Sequence, residues 1–202
     1  MSRGRFITLE GIDGSGTTSQ AEALAARLSE RGHRVVRTHE PSTGSIGRLV
    51  RERLGRTATP LDPRAMALLF AADRMDHVTT CIEPALARGD VVLSDRYLVS
   101  SWVYQALDCD PTWVREINRN APWPDLTLVL DLPAPVALAR VHARAGTAAT
   151  EIYETVELQE RVREGYRSIA SEGLTGVVEL DADRPFEAIT NDLLGHCLAL
   201  GL

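Results

Sequence analysis

Residues Gly11-Ile12-Asp13-Gly14-Ser15-Gly16-Thr17-Thr18 have the spacing of a phosphate-cradling loop, G-x-x-x-x-G-K-[S/T], with Thr17 standing where that pattern carries lysine. Glycines let successive backbone N–H groups turn inward around a phosphate, and the helix that follows adds the positive end of its dipole. In such a loop Gly11 to Thr18, with Ser19 behind them, hold a nucleotide, and the Thr18 hydroxyl occupies the position that meets a magnesium ion. The competing reading is an ordinary glycine-rich turn between a strand and a helix. An apolar run before the loop and helical spacing after it favour phosphate. What the loop lacks is a cation reaching the β- and γ-phosphates as charge builds in transfer. Thr17 donates a hydrogen bond but carries no charge. Losing one preorganised donor costs roughly 10²–10³ in rate, so a nearby arginine substitutes, or transfer is slow or absent. No ammonium group exists elsewhere, because all 22 basic residues are arginine. A compositional bias toward arginine and alanine explains that count, yet every role usually given to lysine falls to a guanidinium.

Three further segments stand where an acceptor site is built, at or just beyond strand C-terminal ends. They are Thr38-His39-Glu40-Pro41-Ser42, the run Leu68 to Arg74, and the run Ser94 to Gln105. Asp95 ends an apolar strand, where a carboxylate holds magnesium through water; the alternative is a helix-capping aspartate. Arg96 follows directly, and its planar fork suits a monophosphate, against the alternative of a surface salt bridge. Phe70 and Arg74 lie four apart on one predicted helix and so share a face. For Phe70 alone, core packing is the better reading.

The elements that must position these residues alternate. Arg5 to Glu10 reads as a strand, and Thr18 to Arg31 as a helix with Ala21, Leu24, Ala25 and Leu28 on one stripe, stopped at Gly32. A strand at Arg34 to Thr38, a helix around Ile46 to Leu54 and a long helix from Asp62 to about Arg88 follow, then a strand at Val91 to Ser94. The second half gives a helix at Tyr97 to Leu107, a buried strand at Leu126 to Leu132 and a helix at Pro135 to Ala145. Helix resumes from about Tyr153 to Glu172, before a strand at Val177 to Leu180 and a last helix from Pro185. Strands alternating with helices imply an α/β fold with a mostly parallel sheet covered on both faces. A polar Ala-Gly-Thr segment, with little apolar anchorage between two helices, makes residues 145–153 a short lid on one domain spanning 1–202.

Composition narrows the partners. A net charge of −6 argues against broad binding to nucleic acid or to an anionic membrane. Cys81, Cys109 and Cys197 are scattered without CxxC spacing, which fits a reducing cytoplasm. The N-terminus runs straight into a strand, so no signal peptide is expected, and no apolar run is long enough to span a bilayer.

Read together, the segments resemble the thymidylate kinase family. Its pattern of E-G-x-D-G-x-G-K-[S/T]-T-Q, T-R-E-P, L-F-A-A-D-R, D-R-Y-x-x-S-S-x-A-Y-Q and P-D-L-T corresponds here to Glu10–Gln20, Thr38–Pro41, Leu69–Arg74, Asp95–Gln105 and Pro124–Thr127, with a closing R-V-R-x-G-Y at Arg161–Tyr166. The resemblance covers nearly the whole chain in order and spacing. It implies a P-loop nucleoside-monophosphate-kinase-like three-layer sandwich on a five-stranded sheet. It also implies transfer of the γ-phosphoryl of ATP to dTMP with Mg2+, and a homodimer through helices on the sheet's face. By the same resemblance, Asp13 lies near the metal and acceptor phosphate, Arg96 holds that phosphate, Phe70 stacks on thymine and Arg74 bonds a base carbonyl. Tyr104 and Gln105 lie against deoxyribose and base, and Glu40, Arg51 and Ser101 complete the acceptor site.

Three expected cations are missing. Thr17 replaces the loop lysine, His39 the arginine of R-E-P, and Ile152, within Glu151-Ile152-Tyr153-Glu154, the lid arginine. Candidate substitutes are Arg140 and Arg144 before the lid, with Arg144 entering the catalytic set, and Arg48 and Arg51 after the E-P segment. All three losses fall on groups facing phosphates while the base-facing residues remain, which points to altered rather than abandoned function. Two other readings stay open: a kinase for a different acceptor, reshaped by His39, and a non-catalytic nucleotide-binding homologue.

Overall fold

A computed structural model describes residues 3–55, 59–145 and 155–202, excluding the side chains of 144 and 145. The predicted lid segment, with Ile152, and the Arg144 side chain therefore lie outside the described residues. Five strands, β1 (Phe6–Gly11), β2 (Val35–His39), β3 (Val91–Asp95), β4 (Leu126–Asp131) and β5 (Val177–Asp181), form one sheet in the order β2-β3-β1-β4-β5. Every pairing is parallel. Burial along β1 and along β4 as far as Leu130 shows both faces covered, and the buried Thr8 and Thr127 that interrupt the apolar residues bond to each other at 3.1 Å. The outer strands β2 and β5 are only partly buried.

Helix α1 (Thr17–Glu30) buries Ala21, Leu24, Ala25 and Leu28, the predicted stripe, against the sheet and α9 (Phe186–Ala199). Helix α2 (Ser45–Leu54) follows β2. The long helix predicted from Asp62 begins as α3 (Pro63–His77), capped by Asp62, then widens into a π turn at Val78–Ile82 before α4 (Glu83–Ala87). There the hydroxyls of Thr79 and Thr80 donate to the carbonyls of Met75 and Asp76. Helix α5 (Leu98–Tyr104) ends in a 3₁₀ turn at Gln105–Leu107, and a short α6 (Pro111–Ile117) was not foreseen. Its start signal is local: Asp110 accepts from the Trp113 amide and Pro111 fills the first helical position. Helices α7 (Ala134–Ala145) and α8 (Val156–Ser171) complete the set.

The registers assemble the site. Leu9 and His39 both stand opposite Asp95, so the C-terminal ends of β1, β3 and β2 lie side by side. The chain leaves β1 toward one side of the sheet and β3 toward the other, and the crevice at such a reversal is where open α/β sheets bind ligands.

Candidate active site

Gly14 and Gly16 hold the loop in the left-handed region, at φ +86° and +98°. The two glycines have different reasons. A Cβ at Gly14 would lie 2.2 Å from the Ala137 carbonyl oxygen, so α7 is packed directly on the loop, whereas a Cβ at Gly16 meets nothing within 4 Å. Gly14→Ala combines a clash with the roughly 1–2 kcal/mol of a left-handed non-glycine residue. It is expected to weaken ATP binding about tenfold or more by calorimetry, with a smaller loss for Gly16→Ala. Helix α1 starts at Gly16 with no side chain capping its first amides, which leaves those donors for an anion. Ser15 Oγ is buried inside the loop without a hydrogen-bond partner among the described residues.

Thr18 and Asp95 meet as their positions predict. The Thr18 hydroxyl donates to Asp95 Oδ2 at 2.5 Å, while Asp95 Oδ1 is buried with no partner among the described residues. An unpaired carboxylate oxygen beside a hydroxyl, at the edge of the phosphate loop, is a donor set that fits a hard divalent cation.

Two cavities open on this point. One, of about 390 Å³, lies over the loop from Asp13 to Gln20 and is bounded by Arg140, Val141, Arg184, Phe186 and Ile189. The other, of about 360 Å³, is lined by His39, Glu40, Arg51, Phe70, Arg74, Ser100, Ser101, Tyr104 and Gln105, among others. Asp13, Thr18, Asp95 and Arg96 line both. The predicted donor and acceptor residues are thus brought together, except that Gly11 and Ile12 lie beneath the loop and Arg48 turns away to the Thr43 carbonyl. Of the arginines around the donor cavity, Arg96 is paired with Asp13 and Arg184 with Asp192. Arg140 makes no hydrogen bond or ion pair among the described residues.

In the acceptor cavity Arg74 is almost wholly buried. Its Nη2 pairs with Glu40 Oε2 as an ion pair (2.7 Å) and donates to the Tyr97 carbonyl (3.0 Å) and Ser101 Oγ (2.9 Å), and its Nη1 donates to Asn118 Oδ1. Among the described residues Nε alone of its nitrogens is without a partner, so the guanidinium is fixed before any base arrives. Glu40 is shared with His77, which sequence reasoning passed over: the His77 Nδ1–H donates to Glu40 Oε1 at 3.1 Å, and its Nε2 lies 2.6 Å from the Thr38 hydroxyl. Across the cavity, the His39 Nδ1–H and Arg51 Nη2 both donate to the Pro41 carbonyl, at 2.8 and 2.9 Å.

Arg96 stands at φ +67°, left-handed without being glycine. Such a conformation costs of order 1–3 kcal/mol and persists where its surroundings fix it. Here it aims the guanidinium back under the loop. Nη1 donates to the Gly11 carbonyl (2.9 Å), Tyr166 Oη (3.1 Å) and Ser100 Oγ (3.3 Å), and Nη2 to Asp13 Oδ1 (2.5 Å). Behind it lies Glu10, a wholly buried carboxylate that accepts from Ser100 Oγ and the Tyr97 amide.

Burial pushes the Glu10 carboxyl up from its ordinary 4.5 to about 7. A raised carboxyl pKa means the folded state holds the proton more tightly, so this contribution is complete below pH 4.5 and lost as pH rises through about 7. Relative to Glu10→Gln, wild type should lose on the order of 2–4 kcal/mol across that interval in urea-unfolding midpoints, and nothing further above it.

A nucleotide-sized cavity over a phosphate loop, sharing a wall with a second cavity built from aromatic and guanidinium groups, defines the phosphate-loop nucleoside monophosphate kinases. The thymidylate kinase pattern matches residues 9–193. The chain is 46% identical over 173 residues to a probable thymidylate kinase of Pyrococcus horikoshii, covering 83% of each chain. It is 40% identical over 200 residues to a probable thymidylate kinase of Thermococcus gammatolerans, covering 95% of each. A thymidylate kinase of Thermomicrobium roseum is 41% identical over 191 residues, 92% of this chain and 90% of its own. The chain belongs to the thymidylate kinase family.

Proposed function

We propose that the chain transfers the γ-phosphoryl of ATP to dTMP, giving dTDP, with an arginine of α7 in place of the loop lysine. The observation that carries this reading is the common wall of the two cavities, Asp13, Thr18, Asp95 and Arg96, where a donor γ-phosphate and an acceptor phosphate would meet. The loop amides and the first turn of α1 bind the donor phosphates. Thr18 and Asp95 would hold Mg2+, which would supply charge neutralisation for the transferring group. Arg96 holds the acceptor phosphate. Phe70, half-buried on α3, offers its ring to thymine, with Arg74, Tyr104 and Gln105 around base and sugar. Catalysis is then in-line positioning with charge neutralisation, needing no covalent intermediate. A homodimer in the cytoplasm accompanies this reading, and light scattering tests the dimer.

The discriminating experiment offers purified protein ATP, Mg2+ and a panel of nucleoside monophosphates. dTMP should be phosphorylated in preference to dUMP, dCMP and dGMP. Preferential conversion of another acceptor, or nucleotide binding without turnover of any, contradicts the reading.

A further inference from the structure

Arg96 is held from two sides, and both supports end on one residue that reaches neither cavity. On the main-chain side, the amide of Tyr97, the first beyond Arg96, donates to Glu10 Oε1 at 3.0 Å. On the side-chain side, Arg96 Nη1 donates to the oxygens of Tyr166 and Ser100, which lie 2.8 Å from each other, and Ser100 donates to Glu10 Oε2 at 2.5 Å. Ser100 has a single hydroxyl proton. Given to Glu10, it leaves the Ser100 oxygen facing Arg96 and Tyr166 purely as an acceptor. The Tyr166 proton likewise goes to Ser100 Oγ or to Glu10 Oε2, 3.5 Å away, leaving its own lone pairs for Arg96. While Glu10 is ionised, as it is above about pH 7, each hydrogen in the cluster runs from Arg96 toward Glu10, and the acceptor at the end of the chain sets the direction of all of them.

We infer that Glu10 is a positioning residue for Arg96, acting through Ser100, Tyr166 and the Tyr97 amide to hold the guanidinium where the acceptor phosphate meets it. The inference rests on the assignment of Arg96 to that phosphate. Glu10 lines neither cavity and touches neither substrate. Its effect reaches the reaction through a guanidinium in a left-handed residue with other conformations to adopt if released. Displacing a positioning group by about 1 Å costs on the order of 10²-fold in such reactions.

The test substitution is Glu10→Gln, which keeps shape and volume but reverses one polarity. If the amide oxygen keeps the Tyr97 N–H, the amide nitrogen faces Ser100 and turns that hydroxyl's proton toward Arg96. KM for dTMP should rise at least tenfold and kcat fall, with KM for ATP within twofold of wild type and unfolding still cooperative. Tyr166→Phe, which removes one acceptor beside Arg96, should move KM for dTMP the same way by about three- to tenfold, and carries the test if Glu10→Gln does not fold. A KM for dTMP within twofold of wild type, or equal shifts in both KM values, overturns the inference while a dTMP-phosphorylating wild type leaves the functional reading standing. A wild type that neither binds nor phosphorylates dTMP overturns both.

Discussion

Replacing Arg96 by alanine lowers kcat/KM for dTMP by roughly 10³-fold or more and leaves the affinity for ATP nearly unchanged. Arg96 stands on the wall common to both cavities, and its fork already makes four hydrogen bonds, to Gly11, Ser100, Tyr166 and Asp13. A hydrogen bond to a charged group is worth about 1.5–3 kcal/mol, and two such bonds to a phosphate account for the expected loss. Removing the side chain also takes a donor from Asp13 Oδ1 and the Gly11 carbonyl. Arg96→Lys should recover less than about a tenth of the activity, because an ammonium cannot reproduce the planar fork. Steady-state kinetics with dTMP varied at saturating ATP decide the matter. A loss below tenfold for the alanine variant removes Arg96 from the acceptor site.

The second large effect belongs to α7. No lysine exists in the chain, so under the proposed reading a cation that meets the β- and γ-phosphates would be an arginine. α7 lies against the loop at Gly14, and Arg140, one turn beyond Ala137, borders the donor cavity uncommitted among the described residues. Arg144 follows a turn later at the end of the same helix. Replacing either by alanine tests which one serves: the variant that removes the surrogate cation should lower kcat about 10²-fold or more at saturating substrates. In that background Thr17→Lys should restore part of the lost rate by returning a charge to the loop. Near-normal kcat in both alanine variants would exclude α7 as the source.

Much of the fold was legible because its signals are local and repetitive. β1 and β4 are short, mainly apolar runs, and the Ala21-Leu24-Ala25-Leu28 stripe can belong only to a helix with one buried face. The candidate site was legible where spacing carries chemistry, as in the loop glycines, Thr18, and Asp95 followed by Arg96. What escaped depends on long-range contact. Glu10 looked like one more strand residue, and only the approach of Ser100 and Tyr166, 90 and 156 residues away, turns it into the end of a polar chain. His77 gave no signal because its partners, Glu40 and Thr38, sit on another segment. The π turn and α6 are short, and the physics that makes them, two threonine hydroxyls and one aspartate cap, is spread over a few residues.

A loop with threonine in place of lysine is expected still to support phosphoryl transfer. A single-turnover reaction tests it most directly, with enzyme in excess over γ-labelled ATP, in the presence of Mg2+ and saturating dTMP. The label should pass to dTDP, and the rate should fall when the α7 surrogate arginine is removed. Labelled ATP that binds the protein yet returns intact, with no labelled dTDP, would contradict it.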